Sequence, residues 1–524
     1  DGQSKSTSKD STSIRDIPLE LLLPIFRLSF DINTTGLQRE RCRLSLVCRW
    51  WRDIVQDSAC LWTDISAHDS EAYIEKSLVK SAGLPIDIHY FSPKSRSKRP
   101  NVQAYLKLVL KHLPRCRSIS IFIENGSFDD LEELLNRLRT APPPGLESLA
   151  LKGSGFQRME VNINWRLKFP ELSTFLALRW LEIDGIPCQL AAPGLLVNDF
   201  RSLNLIEVHN ITAKQLLEAL RNSPRLERLG LGRTPRECPS QSAVAPIHLP
   251  QLMALHLIFM PVEVSNFFLT IIHAPNCSEL FISSHFPKFP GDVVRESLFT
   301  SNTDHFSPVM QRLLTRGRYK DIEVFHFSGY SHRGIYFNVR FYDDDSSDPQ
   351  RSGIFRLEFK LHSIEQVEEA IQWLASHLDR DMPKIPIRLQ FDGLGSVPLL
   401  KLIDSHMSIT HFRYSRGICD SLLIHMGERS TLGWPLQDLE DLVYDPWDMS
   451  KSQNETMLDM LRRRYNPSSK KADSGRMLPR PLRRVHVGPC PTPTIGLLVV
   501  GEVKEILPQA DTSLINGSEK YWTW

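Results

Sequence analysis

Short stretches with apolar residues at their first, fourth and sixth positions recur along most of the chain. The fourth position of each stretch serves as a marker, and the markers are Ile119, Leu149, Leu181, Leu203, Leu229, Leu255, Leu280, Phe325, Leu357, Leu389, Phe412, Leu442 and Val485. Apolar residues at alternate positions predict β-strands that bury one face. Most successive markers lie 22 to 32 residues apart, with longer gaps of 45 residues before Phe325 and 43 before Val485.

The residues between these strands carry the apolar spacing of short helices. Such spacing occurs at 213–221, 367–377, 397–407 and 454–464. A repeated strand and helix, each too short to bury itself alone, predicts an α/β fold. We expect the units to stack as an irregular leucine-rich-repeat solenoid over residues 67–488. An open, doubly wound α/β sheet is the alternative, and the absence of a glycine-rich turn after the first strand disfavours it.

Two insertions interrupt the predicted repeats, near residues 283–319 and 334–353. The first contains Pro and Phe residues and one short helical stretch at 308–314. In the second, strands at 334–342 and 354–361 flank a run of aspartates, which predicts two strands joined by an acidic turn. The aspartates lack the Gly and the distal Glu of a calcium-binding loop, so a solvated turn is the interpretation.

The segment from residue 14 to residue 66 has a helical rather than an alternating pattern. Asp16 and Pro18 predict a helix that starts near residue 17, because Pro suits the first turn and an acid suits the positive end of the helix dipole. From Leu37 onward one further amphipathic helix is predicted. Its apolar face consists of Leu44, Val47, Cys48, Trp51, Ile54 and Val55. So small a module has little interior, and we expect an apolar face to remain for a partner.

The same segment resembles the F-box family. The family pattern has Leu-Pro-x-Glu, Ile-Phe about seven residues later, then Val-Cys-Arg-x-Trp and Leu-Trp; here Ile17 replaces the first Leu, and the gap between Phe26 and Leu44 is longer and more polar. The resemblance implies a three-helix module that docks on the Skp-type adaptor of a cullin–RING ubiquitin ligase. The residues that match adaptor-facing or core anchors are Ile17, Pro18, Ile25, Phe26, Val47, Cys48 and Trp51.

Composition narrows the function classes. The chain has 63 Lys and Arg against 61 Asp and Glu, and a net charge of +2 does not favour a nucleic-acid or membrane-surface binder. No apolar stretch is long enough to span a bilayer.

The nine cysteines are scattered and odd in number, which favours a reducing compartment, cytoplasmic or nuclear or both. Residues 1–13 are polar and predicted disordered, with no signal peptide visible, and residues 489–524 are interpreted as a C-terminal cap or tail.

A basic segment at 462–484 carries nine Lys or Arg against a single Asp. Together with its Pro, Ser and Gly residues, this composition predicts a mobile basic loop. Three interpretations stay open: a solvated loop, a nuclear-import signal, or a site for acidic or phosphorylated partners.

Motifs of catalysis are absent from the sequence. There is no phosphate-binding loop, dinucleotide fingerprint, zinc-protease motif or nucleophile elbow. We therefore expect no enzyme activity, no cofactor and no metal site.

The sequence predicts a substrate-recognition subunit of an SCF-type ubiquitin ligase, in which the helical module holds the adaptor and the repeats hold a target protein. A scaffold without ligase function, with the module as an N-terminal cap, is the alternative.

Because strand side chains alternate, the face opposite the markers is the candidate target surface. Its residues are Glu182, Asp184, Asn204, His256, Phe281, His326, Glu358, Lys360, Gln390, Asp392, Arg413, Asp441 and His486, with exposed apolar character expected at Ile206, Ile258 and Phe281. The mixed charge of this row suits a protein partner; the other interpretation is that these residues are merely solvated and that loops bind the target.

Overall fold

The computed structural model describes most of the chain, in two compact units that comprise residues 1–226 and 227–524. The described residues are 17–30, 37–91, 102–124, 128–154, 167–186, 188–189, 199–208, 211–234, 245–285, 309, 319–328, 333–342, 355–361, 387–392, 409–415, 420–428, 434–445, 451–465, 479–487 and 493–514. The predicted disorder of residues 1–13, the acidic turn at 343–348 and the helices at 308–314, 367–377 and 397–407 lie outside the described part, apart from residue 309. Within the described part, no helix is long and apolar enough to cross a membrane.

The N-terminal unit begins with three helices, α1 (Leu19–Leu28), α2 (Leu37–Val47) and α3 (Arg49–Asp57). The prediction of one continuous helix from Leu37 was wrong, because Cys48 is extended (φ −161°, ψ 171°) and separates α2 from α3. Its Sγ accepts a hydrogen bond from the Trp51 backbone N–H at 3.4 Å, which makes Cys48 the N-cap of α3. Only one residue, Cys48, is non-helical between α2 and α3, so the helical spacing of apolar residues continues across the interruption.

The rest of this unit alternates strands with helices or single turns. The helices are α4 (Glu71–Lys80), α5 (Val102–Val109), α6 (Phe128–Thr140) and α7 (Ala213–Arg221). The strands are β1 (Asp64–Ser66), β2 (Ile86–Phe91), β3 (Cys116–Glu124), β4 (Ser148–Ser154), β5 (Leu167–Lys168), β6 (Trp180–Asp184), β7 (Cys188–Gln189) and β8 (Ser202–Ile206). Strands β1, β2, β3, β4, β6 and β8 form a parallel sheet in chain order, and β5 pairs with β7.

The markers predicted from the sequence stand in register in this sheet. Ile119, Leu149, Leu181 and Leu203 are successive partners across β3, β4, β6 and β8, and all four are buried. The residue two positions after each marker is buried as well, as the alternating pattern predicts. Ile206, which the sequence suggested as exposed, is buried, so that expectation was wrong.

A residue with left-handed backbone angles follows several of the marked strands, four positions after the marker. It is Gly185 (φ 64°) and Glu207 (φ 62°) in the N-terminal unit, and Arg233 (φ 50°) and Phe259 (φ 52°) in the C-terminal unit. A side chain in this conformation costs about 1–2 kcal/mol, so three non-glycine examples at one repeat position indicate that the turn geometry is imposed by the fold. The next residue is buried each time, as Ile186, Val208, Thr234 and Met260.

The C-terminal unit contains the helices α8 (Val262–Ile271), α9 (Asp420–Met426), α10 (Lys451–Tyr465) and α11 (Pro493–Ile506). Its strands are β9 (Arg228–Gly232), β10 (Ile247–His248), β11 (Ala254–Pro261), β12 (Ile272–His273), β13 (Glu279–His285), β14 (Tyr319–Ser328), β15 (Arg333–Tyr342), β16 (Phe355–Leu361), β17 (Ile387–Asp392), β18 (Ile409–Ser415), β19 (Asp441–Asp445), β20 (Arg484–Val487) and β21 (Asp511–Leu514). The strand expected at each marker is therefore present.

The spatial order of these strands departs from the chain order at one place. β13 pairs with β16, and β17 pairs with β14, while β15 runs antiparallel between β14 and β16. The interpretation of β14 and β16 as successive repeats was therefore wrong. The predicted pair of strands flanking the acidic turn is confirmed, as β15 and β16. The other main strands, β9, β11, β13, and then β17 to β21, are parallel neighbours in chain order.

The described part of the basic segment at 462–484 is folded and paired, so the prediction of a mobile loop was wrong there. Residues 462–465 end α10, and the Arg464 guanidinium is buried, where it donates to the carbonyls of Met426, Pro435 and Leu436. The remaining described arginines form ion pairs with acidic side chains: Arg462 with Glu502, Arg463 with Asp459, Arg480 with Asp438 and Glu440, Arg483 with Glu440, and Arg484 with Asp441. Arg464 is therefore a structural residue, and Arg484 is held by its pair with Asp441.

A buried arginine joins the three-helix module to the first strands of the N-terminal unit. Arg41 of α2 donates to the carbonyl oxygens of Leu61 and Asp64, at 2.8 and 2.9 Å, and to the Ser77 hydroxyl at 3.2 Å. Its guanidinium lies 4.8 Å from the centre of the Trp62 ring. The planar fork of arginine spreads its donors over two terminal nitrogens and Nε, so it reaches these separated acceptors better than the single ammonium of lysine would.

We predict that Arg41→Leu lowers the free energy of unfolding by about 3 kcal/mol or more, because two buried carbonyls lose a charged donor. Arg39→Leu is the matched control, since Arg39 lies in the same helix and is exposed. Urea unfolding of both variants measures the difference. Equal losses in the two variants would show that Arg41 is not a structural anchor.

Candidate functional site

The inner face of α1 forms the core of the three-helix module. Leu22 and Phe26 are buried there, and the Phe26 ring lies 4.5 Å from the ring of Trp51, which is half-buried on α3. Ile17 packs against the same core, and Cys48 is half-buried at the start of α3. Of the family-matched residues, Ile17, Phe26, Cys48 and Trp51 thus hold the module together.

The opposite face of α1 is apolar and exposed. Leu21, Ile25 and Leu28 follow one another at four- and three-residue steps, so they lie on one side of the helix, with 59%, 52% and 87% of their surface exposed. Pro18 lies just before the helix and is also exposed. A helix that is apolar on two faces is usually buried on both. The outer face of α1 is therefore a candidate binding surface.

A second exposed apolar pair lies at the end of α2. Leu46 and Val47 are 77% and 59% exposed, directly before the extended Cys48. Val47 is among the anchors predicted from the sequence, whereas Leu46, Leu21 and Leu28 are not. The four- and three-residue spacing of Leu21, Ile25 and Leu28 could have revealed the exposed apolar stripe. However, apolar residues in a helix are usually assigned to the core.

An ion-pair network fixes the orientation of α1. Arg27 reaches both Asp64 of β1 and Asp87 of β2, at 3.1 and 2.7 Å, and Arg117 pairs with Asp87 from β3. Burial alone would raise the pKa of Asp64, but the neighbouring His89 imidazole and the Arg27 charge outweigh it, so the pKa lies below its usual value. The Asp64 carboxylate is thus held by the Arg27 cation, and α1 cannot turn its stripe inward without breaking this network.

The candidate target residues of the N-terminal unit lie together on its sheet. Glu182 accepts hydrogen bonds from Lys152 and Asn204, at 2.9 Å each. Asp184 is half-buried beside them, and burial, followed by the charges of Glu182 and Glu207, raises its pKa. The structure therefore brings Glu182, Asp184 and Asn204 into one cluster, as the sequence predicted.

The candidate residues of the C-terminal unit do not form one continuous row. His256 and Phe281 are strand partners, and the His256 Nε2 lies 2.9 Å from Glu279 Oε1. Phe281 then pairs with Arg356, whereas Glu358 pairs with Ser283, because β16 pairs with β13 two residues out of step with the markers. The predicted continuation of the row through Glu358 is wrong. The side chains of His326, Glu358, Lys360, Gln390 and Asp392 lie outside the described part.

The remaining members of the row belong to a charged ladder near the C-terminus. Asp441 lies between His411 and Arg484 and is buried, so its expected exposure was wrong. Its pKa is lowered by His411 and Arg484, which more than offset the opposite effect of burial. Arg413 and His486 are half-buried, and His486 Nδ1 lies 2.6 Å from the Ser513 hydroxyl.

The comparison with known families agrees with the geometry of the module. A family model described as F-box-like matches residues 14–68. Residues 14–68 form an F-box-like domain. The F-box-like domain suggests a ubiquitin-ligase adaptor role, and F-box domains bind Skp-type adaptors. No curated protein matches the chain.

We predict that the two faces of α1 respond differently to truncation. Phe26→Ala leaves a cavity in the core of the F-box-like domain and should cost about 3–5 kcal/mol, whereas Ile25→Ala on the outer face should change stability by less than about 0.5 kcal/mol. Hydrogen exchange of the amides of α1 and α3 measures both effects. A large cost for Ile25→Ala would show that the outer face is part of the core.

Proposed function

We propose that the protein is the substrate-recognition subunit of an SCF-type ubiquitin ligase. The observation that carries the proposal is the exposed stripe of Leu21, Ile25 and Leu28 on an F-box-like domain whose core is complete without it. Burial of each such side chain against an adaptor would contribute about 1.5–3 kcal/mol. The Skp-type adaptor is the proposed partner of this face.

We further propose that the parallel sheets belong to an irregular leucine-rich-repeat solenoid that holds a target protein. Two observations support the solenoid: markers in register from strand to strand, and the left-handed residue that recurs four positions after them. The proposed mechanism is proximity. The protein supplies no reacting group and raises the effective concentration of target lysines near the ubiquitin-charged enzyme. The proposed location is the cytoplasm, the nucleus or both.

A second candidate function is a scaffold in which the F-box-like domain only caps the repeats. The contacts of Arg27 and Arg41 with the first strands favour it, because they join the module to the sheet as a cap would be joined. A terminal cap, however, needs a polar outer face for solubility. The exposed leucines of α1 therefore favour the adaptor-binding role.

We predict that the purified chain binds a Skp-type adaptor with micromolar or tighter affinity, measured by calorimetry. Ile25→Asp should weaken this binding by at least about tenfold, because it places a charge in an apolar interface. The matched control is Val79→Asp, which introduces the same charge at an exposed apolar position of α4. Failure of the intact chain to bind the adaptor at micromolar concentration would reject the ligase role and leave the scaffold.

A further inference from the structure

The face of the N-terminal sheet opposite its buried markers carries an apolar zone beside an acidic zone. We call it the outer face. Its residues are His89, Phe91, Ser120, Phe122, Ala150, Lys152, Glu182, Asp184 and Asn204, and each of them is partly exposed. The binding of a target by this sheet is part of the proposed function, and the chemistry of the outer face narrows what the target must offer.

The apolar zone consists of two aromatic rings next to small residues. Phe91 of β2 and Phe122 of β3 are register partners, so their rings are neighbours on the outer face. Ser120 and Ala150 are also register partners, one step nearer the start of the strands. Because these two side chains are short, they leave room beside the rings for an inserted apolar side chain.

The acidic zone begins two strands away from Phe122. Phe91, Phe122, Lys152 and Asp184 are successive register partners on β2, β3, β4 and β6. The Lys152 ammonium lies 2.9 Å from Glu182, and the Asn204 amide donates to the same carboxylate. The two carboxylates thus share one lysine, and this lysine contacts Glu182.

Within the described part, Asp184 is the acid of this cluster that makes no ion pair, and Lys152 acts on it only from a longer distance. It is half-buried, and burial together with the charge of Glu182 raises its pKa. A cationic side chain brought against Asp184 would relieve this repulsion, while an anionic one would increase it. Charge complementarity therefore favours a partner with Lys or Arg at this point.

We propose that the outer face binds an extended segment of the target in which a large apolar residue is followed, about three residues later, by Lys or Arg. Neighbouring strands are about 4.8 Å apart, so Phe122 and Asp184 are separated by about 10 Å across the sheet. A segment in the extended polyproline II conformation covers about 3.1 Å per residue with three residues per turn, so side chains three residues apart lie on one face, about 9 Å from each other. The apolar residue packs on Phe91 and Phe122, and the cation pairs with Asp184.

The test uses the purified full chain and fluorescein-labelled dodecapeptides in a Gly and Ser background, with binding measured by fluorescence anisotropy. One peptide carries Phe and, three residues later, Arg. The second carries Glu in place of Arg, and the third carries Ser in place of Phe. We expect the first peptide to bind at least about tenfold tighter than either of the others, with an affinity that falls as salt is added.

Variants of the chain locate the site. Asp184→Asn should weaken the binding of the Phe/Arg peptide by about tenfold. Phe122→Ser should weaken it by a similar factor and should also abolish the difference in affinity between the Phe and Ser peptides. Glu132→Gln is the matched control, because it removes one exposed carboxylate from α6, away from the sheet face. Thermal unfolding of each variant verifies that the fold is retained.

Equal binding of the Arg and Glu peptides would overturn the inference, and so would equal effects of Asp184→Asn and Glu132→Gln. The assay contains no adaptor, so its failure would leave the calorimetric test of adaptor binding unaffected. Conversely, a chain that binds the Phe/Arg peptide but no adaptor would retain this surface and lose the ligase role.

Discussion

The arrangement of the N-terminal unit depends on one buried guanidinium. Arg41 satisfies the carbonyls of Leu61 and Asp64 and the hydroxyl of Ser77, and its plane lies against Trp62. These groups belong to the turn before β1, to β1 itself and to α4, so a single cation connects helix α2 with β1 and α4. Because buried carbonyls without donors are costly, the helical module has one stable position on the sheet.

That position determines which surface is left for a partner. Arg41 holds α2 in place, and the ion pairs of Arg27 with Asp64 and Asp87 hold α1. The inner apolar face of α1 is therefore buried in the core. The outer stripe that includes Ile25 then has no place in the interior. The contacts of Arg27 and Arg41 join the F-box-like domain to the sheet, as in a cap. The same contacts leave the outer face of α1 exposed for a partner.

Local pattern was enough to predict most of the strands, because the marker and the residue two positions later are both buried in β3, β4, β6 and β8 of the N-terminal sheet. It was not enough to predict their order around β14 to β16. The segments at Phe325 and Leu357 carry the same apolar pattern, and only long-range pairing decides that β16 lies beside β13. Pattern also cannot reveal an interruption of one residue, such as Cys48, which leaves the helical apolar spacing almost unchanged.

Charged residues were the least predictable from the sequence. Arg464 and Arg484 appear in a run of basic residues that suggests a solvated loop, yet one is buried among carbonyls and the other pairs with Asp441. Their partners lie 28 to 43 positions away in sequence, where no local signal points to them. For Glu182 and Asn204 the prediction succeeded because the strand register alone brings them together.

Hydrogen exchange of the full chain with and without a Skp-type adaptor tests most directly whether α1 presents a binding face from a fixed position. We expect the adaptor to slow exchange of the backbone amides in residues 17–30 and near the junction of α2 and α3. The amides of β1 and β2 should exchange at unchanged rates. Unchanged exchange throughout residues 17–57 at saturating adaptor would contradict this expectation. So would faster exchange in β1 and β2, because adaptor binding would then have pulled the F-box-like domain away from the sheet.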